Sequence, residues 1–259
     1  LQVVPDVATR IGQLRTLSAA LSSGLATWVP QIAHDSGAFI VDATAGSGKT
    51  QLAVRLLTTA HRARQRSAYV CFNRPLADHM ARIAPTSTDV GSFHELCVAE
   101  ARRAGHEPRF DAPGVFDDLA ARWAQQAASQ PPRWDLLVID ETQDFAPDWV
   151  QTLLSLLKPD GKVYLLGDSE QSLYERDSFQ LPGAVTIRCS DNFRSPRAVV
   201  DAINQMRLLG EPVQARSAYQ GEAPGFATYA PGQLGLITAV EACLKRLQQD
   251  GIAPQDIAL

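Results

Sequence analysis

The stretch ATAGSGKT, residues 43–50, constrains this chain more than any other. It follows the apolar run AFIVD and opens a helical pattern that begins near Lys49. Strand, glycine-rich turn and helix, in that order, are the setting in which a backbone can cradle a phosphate. Gly46 and Gly48 permit backbone angles that turn several N–H groups toward one anion. The helix N-terminus adds a positive field. A nucleotide's phosphates are therefore expected over Ala45, Gly46, Ser47, Gly48, Lys49 and Thr50. Lys49 is placed to reach the β- and γ-phosphates and the Thr50 hydroxyl to ligate Mg²⁺. The strict pattern begins with Gly where this chain has Ala43, and a chance glycine-rich turn is the plain alternative.

Around this loop, short apolar runs alternate with helical stretches. The runs are AFIVDA (38–43), SAYVCF (67–72), TDV (88–90), DLLVID (135–140), KVYLLG (162–167) and AVTIRC (184–189). They lack strict alternation of polar and apolar residues, which suits strands buried on both faces of a parallel sheet. Helices are predicted near 49–64, 75–83, 92–104, 115–128, 146–157 and 195–208. The fold class is α/β, a mostly parallel sheet flanked by helices, with ligands at the carboxyl ends of the strands. Before it, leucines 14, 17, 21 and 25 mark one apolar stripe on a helix over 7–28. Three segments are expected: 1–30 helical, 31–209 the α/β domain with a small helical insertion near 95–133, and 210–259 the start of another domain. In that last segment a strand at FATYA (226–230), a helix near 232–250 and a strand beginning at IAL are expected.

A second chemical signal is LLVIDETQDF, 136–145, where an apolar strand ends in Asp140 and Glu141. A carboxylate there can hold Mg²⁺ beside the phosphates, and its neighbour can deprotonate an attacking water. Alone, such a pair is a solvated loop. Downstream of a phosphate loop it becomes a candidate metal ligand, Asp140, and a candidate general base, Glu141.

Six boxes, in order, resemble those of the UvrD/Rep/PcrA-like superfamily 1 DNA helicases. Besides ATAGSGKT and DETQD they are YVCFNRPLADHM (69–80), GSFHELC (91–97), LLGDSEQSLY (165–174) and DNFRSP (191–196). The resemblance covers residues 31–259 and implies a RecA-like P-loop motor domain that uses ATP and Mg²⁺, followed by the incomplete start of a second motor domain. It implies that Gln171 senses the γ-phosphate, that Arg194 acts as an arginine finger, and that Gln143 couples the ATP site to movement. Phe193 holds the position of an adenine-stacking Tyr, against the alternative of a core aromatic. Gln31 lies upstream of the loop where the family reads adenine, without the family's surrounding pattern. Asn73, Ser92, Phe93 and His94 hold positions near the DNA path, although Phe93 could equally be core and His94 structural. The family's base-stacking Trp after the GDxxQSIY box is missing; this chain reads YERDSFQ there.

The resemblance implies single-stranded DNA, or DNA with single-stranded tails, as partner, with the remaining helicase domains beyond the C-terminal end and a role such as DNA repair. Net charge, at −4, supplies no global attraction to nucleic acid, so any strand must lie in a local groove. The arginines at 62, 64, 66, 102, 103 and 109 read as solvated helix faces. Four cysteines without a CxxC pair argue against a zinc site and suit a reduced, cytoplasmic setting. No apolar run reaches the ~18–20 residues of a membrane span. Only 45 residues separate His94 from Asp140, too few for the family's usual subdomain. The chain is thus expected to be a segment of a helicase that binds nucleotide and hydrolyses it poorly by itself. The competing reading is a nucleotide-gated regulatory module without motor activity. A nucleotide kinase is disfavoured by the DETQD and NFRSP boxes.

Overall fold

Alternate residues of each central strand point to opposite sides, and both sides are apolar. In β1 (Ala38–Ala43) Phe39 and Val41 face one core, and Ala38 faces the other. In β4 (Trp134–Asp140) Leu136 and Val138 join the first core, Leu137 and Ile139 the second. That two-residue period, apolar on both faces, is why these strands read as unbroken hydrophobic runs. The computed structural model describes residues 24–171 and 181–258. The N-terminal leucine stripe lies outside the described residues except at Leu25, and so does the YERDSFQ segment.

With β2 (Ser67–Cys71), β3 (Thr88–Ser92), β5 (Leu157–Gly167) and β6 (Val185–Cys189), these strands form a six-stranded sheet in the order β3-β2-β4-β5-β1-β6. Every pairing in it is parallel. The phosphate-loop strand β1 and the Asp140 strand β4 are therefore not neighbours. β5 runs between them, so the Gly167-Asp168 pair at its end is delivered between the two boxes. β5 begins five residues before the predicted KVYLLG run, with a register shift against β4 between Trp134 and Leu136.

Helices cover both faces. α1 (Gly24–Trp28) and α2 (Lys49–Arg62) pack on one side, α2 through Leu52, Leu56 and Leu57. Next come α3 (Arg74–Ile83) and, on the other face, α4 (Phe93–Arg103), α5 (Val115–Ala127) and α6 (Pro147–Leu154). The α4–α5 pair occupies most of the stretch where a small helical insertion near 95–133 is expected. Glu100 of α4, only 5% exposed, ties it to the start of β4 by accepting from Arg133 at 2.8 Å, and it also accepts from Arg103 of its own helix. α7 (Arg197–Met206) follows β7 (Asp191–Asn192), which pairs with β8 (Gln214–Ala215) in a second, two-stranded sheet.

Two units divide at Gly221 rather than at residue 209. Backbone bonds from Gln214 to Ser190, Arg216 to Asn192, Arg197 to Tyr219 and Ala198 to Gln220 fasten residues 214–220 to the first unit. The loop-like composition of that stretch conceals these pairings. The second unit contains α8 (Gln233–Gln249) and a 3-10 turn, Pro254–Asp256. FATYA is not a strand: residues 226–230 make no ladder, and Phe226 and Tyr229 are exposed. Residues 257–258 are also outside any strand. Strands need partners, and among the described residues of this unit none is supplied. No helix among the described residues is long and apolar enough to cross a membrane.

Candidate nucleotide-binding site

The loop after β1 has the backbone its glycines foretell. Gly46 and Gly48 adopt φ of 76° and 103°, and Gly48 caps α2, so that Lys49 and Thr50 form its first turn. A side chain at Gly46 would be strained in φ, and its Cβ would lie 2.8 Å from Asn192 Oδ1 and 2.9 Å from Arg194 Cβ. Ser47 is 1% exposed and its Oγ has no hydrogen-bond partner among the described residues. The Lys49 ammonium donates to the Ala43 carbonyl, which holds it at the base of the loop. There its charge acts on both Asp140 and Asp168.

Asp140 ends β4 at 2% exposure. Its Oδ2 accepts from Tyr69 Oη at 2.6 Å and its Oδ1 from the Glu141 N–H at 3.0 Å. Burial pushes its carboxyl up from 3.8 to about 6, against the Tyr69 hydrogen bond and the Lys49 charge. Glu141 sits in the left-handed region, φ 55°, ψ 47°, an uncommon conformation for a residue with a Cβ. Gln143 Nε2 donates to Glu141 Oε2 at 2.7 Å, and Gln143 Oε1 accepts the Asp168 N–H at 3.2 Å. Asp168 Oδ2 in turn accepts the Ala45 N–H at 2.9 Å. One chain of bonds thus runs from the phosphate loop through the GD pair to the catalytic carboxylate candidate. Gly167 is required in it, because a Cβ would lie 2.6 Å from Thr142 Oγ1. Burial raises Asp168 as well, opposed by Lys49 and by the Glu170 and Ala45 N–H groups. Gln171 closes the 3-10 turn Ser169–Gln171, its N–H donating to the Asp168 carbonyl at 3.0 Å.

The DNFRSP segment lies against the loop. Phe193 N–H donates to the Gly46 carbonyl at 3.1 Å, and Thr44 N–H to the Cys189 carbonyl at 3.0 Å. Asn192 Oδ1 accepts from the Arg194 and Ser195 N–H groups and folds the turn that carries Arg194, an exposed side chain. A cleft of about 310 Å³ opens beside Ser47, lined among others by Leu25, Trp28, Phe193, Asp191 and Arg216. Arg216 Nε donates to Asp191 Oδ1 at 2.8 Å at its wall. Gln31 is not part of that lining; it is exposed and its amide donates to the Thr27 carbonyl at 2.9 Å.

The four residues singled out for DNA are brought to one end of β2 and β3, but in structural duties. Asn73 caps α3, its Oδ1 accepting from Leu76 N–H at 2.9 Å. Ser92 forms a capping box with Glu95 at the start of α4. Phe93 corrects the DNA-facing reading: it is fully buried, with Trp149 stacked at 4.7 Å and Trp123 at 5.5 Å, so it offers no ring face to a base. His94 is partly exposed and packs edge-on against Trp149 and Phe116. Sequence reasoning did not single out Tyr69, Asp168, Asn192 or Trp28. Tyr69, Asp168 and Asn192 stood inside the boxes YVCFNRPLADHM, LLGDSEQSLY and DNFRSP; nothing local marks Trp28.

A family model described as an AAA domain matches residues 29–177, more than half of the chain. The chain belongs to the AAA domain family. That match spans five of the six boxes, from ATAGSGKT to LLGDSEQSLY, and agrees with their resemblance to superfamily 1 helicase motor domains. A relative in Bacillus subtilis (strain 168), "Putative ATP-dependent DNA helicase YjcD", is 27% identical over 167 residues, 56% of this chain and 22% of its own length. The chain thus spans under a quarter of that relative. Among solved structures, Pif1 helicase from Candida albicans superposes with TM-score 0.41 at 13% identity, over 72% of this chain and 43% of that one. A DNA replication initiation factor superposes at TM-score 0.35 and 11% identity, over 96% and 64%. Overlaps this loose carry no weight here; the fold rests on the strand order itself.

Proposed function

We propose that this AAA domain binds ATP with Mg²⁺ and is the first motor domain of a superfamily 1 DNA helicase or translocase. The observation that carries the reading is the bonded chain joining the phosphate loop, Asp168, Gln143 and Glu141. The donor set fits the ligand. Two positive-φ glycines leave a cradle without side chains, Ser47 Oγ is buried and unpartnered, and Lys49 lies at its base. Thr50 and Asp140 supply the hard oxygens that Mg²⁺ prefers.

Bound ATP-Mg²⁺ would supply the transferable phosphoryl group and a Lewis acid. The chain's own residues do the rest. Loop N–H groups and Lys49 would offset phosphate charge, and Thr50 and Asp140 would hold the cation. Glu141 takes a proton from water at a carboxylate oxygen, while Gln143 fixes the other face of that carboxylate. Arg194 and Gln171 add charge and hydrogen bonds near the transferring group. Phe193 and Trp28 border a cleft that would receive the base. Single-stranded DNA is the proposed track, and Asn73, Ser92 and His94 the residues bordering its path. A regulatory module without movement is the competing reading, favoured by Phe93 being withdrawn into the core. Hydrolysis measured on the longer protein with and without a single-stranded oligonucleotide separates the two. Stimulation by DNA supports a motor; ATP turnover indifferent to DNA supports a switch.

A further inference from the structure

The Asp140 carboxylate is held at both oxygens by the protein's own groups. Glu141 N–H occupies Oδ1 and Tyr69 Oη occupies Oδ2, at 3.0 and 2.6 Å. Tyr69 belongs to β2, the strand beside β4, where it stands in register with Val138. Its side chain is fully buried in the sheet's first core, and the hydroxyl emerges from that core at the carboxylate. A buried Tyr normally finds a partner for its hydroxyl, but any carbonyl would serve that need. Here the partner is the side chain proposed to hold the divalent cation, reached across 71 residues of sequence.

We propose that Tyr69 is a positioning residue for the cation: its hydroxyl fixes the rotation of the Asp140 carboxylate and sets the concentration of Mg²⁺ at which nucleotide binds tightly. This rests on the nucleotide-binding reading above. A carboxylate bonded at both oxygens cannot swing about its terminal torsion, which is otherwise broad. Its remaining lone pairs are then held in one orientation, within the field of the Lys49 charge. Outer-shell hydrogen bonds of this type orient metal ligands, and their loss commonly weakens metal affinity by ~10–100-fold. The rigid sheet carries the effect: β2 and β4 are paired from Ser67 to Val70, so the hydroxyl cannot drift away from its partner.

Tyr69→Phe keeps the ring and removes only the hydroxyl. Binding of a fluorescent ADP analogue would be titrated with Mg²⁺, starting from EDTA, for the wild type and the variant. The expected result is unchanged binding in EDTA and a Mg²⁺ midpoint raised by about tenfold or more. Tyr164→Phe is the control. Tyr164 is also buried, but its ring stacks on Phe39 at 4.7 Å in β1 and has no described contact with Asp140. A Tyr69→Phe midpoint equal to that of the wild type, or a shift matched by Tyr164→Phe, overturns the positioning role. Failure of the wild type to bind the analogue at all would instead overturn the nucleotide-binding reading. Should Tyr69→Phe lose its cooperative thermal transition, replacing Tyr69 by 4-aminophenylalanine, which returns an N–H donor at the hydroxyl's own position, provides the second test. Recovery of a midpoint near the wild type supports the role, and a midpoint still raised tenfold in that folded variant counts against it.

Discussion

Asp140→Asn should stabilise the metal-free protein while abolishing its use of Mg²⁺. Burial raises the carboxyl from 3.8 to about 6, so holding it ionised above that pH costs the folded state free energy. At ~1.36 kcal/mol for each pH unit between the two values, the penalty is at most about 3 kcal/mol. The amide is neutral and still fits. Its oxygen can accept the Glu141 N–H, and its NH₂ can donate to Tyr69 Oη, which is able to accept. The folded-state value is raised, so this carboxyl favours folding fully below about pH 3.8 and withdraws that support as pH rises through about 6. The gain from Asp140→Asn is therefore expected at pH 8 and not at pH 4. For a domain of this size each kcal/mol moves Tm by ~2–4 °C, so half of the full amount is a rise of ~3–6 °C. Calorimetry in EDTA across pH 4–8 measures it. A loss of stability at pH 8, or a gain of equal size at pH 4, would refute the reasoning. With Mg²⁺ and nucleotide the order should reverse, because only the wild type gains stability from the bound cation.

Two further outcomes follow from the same geometry. Glu141→Gln, in a form of the protein that turns over ATP, should keep nucleotide affinity within about twofold and lose most of its turnover, since general-base catalysis contributes ~10²–10⁴-fold; the rate of phosphate formation in single-turnover experiments checks it, and full activity would remove Glu141 from that role. Glu100 is pushed up by burial, but the hydrogen bonds and charges of Arg133 and Arg103 outweigh this and lower it. Its stabilising effect is present above the ordinary carboxylate value of ~4.3 and lost as pH falls through the lowered one; Glu100→Gln should thus destabilise at pH 7 and flatten the acid limb of a Tm–pH curve, and an unchanged acid limb would contradict the assignment.

Strand positions were legible because β1, β2 and β4 are buried on both faces, and burial on both faces leaves a continuous apolar run. The phosphate loop was legible because its backbone demands glycine at Gly46 and Gly48 and its chemistry demands Lys49. What escaped was whatever depends on distant pairing. Asp168 meets Ala45 across 123 residues and Tyr69 meets Asp140 across 71, and no local periodicity encodes either. Phe93 illustrates the opposite hazard. Its box places it near a DNA path, but two tryptophans, Trp123 and Trp149, claim its faces. FATYA shows that β-forming residues make no strand without a neighbour to pair with. The stretch before Gly221 read as loose coil because the two-residue pairing of β7 with β8 is too short to leave a pattern.

The central claim, that residues 45–50 hold the phosphates of a nucleotide, is tested most directly by titrating ADP and ATP into wild type and Lys49→Ala. A charge-assisted contact contributes ~1.5–3 kcal/mol, so the variant should bind about ten- to a hundredfold more weakly. Equal affinities for the two proteins would contradict the account.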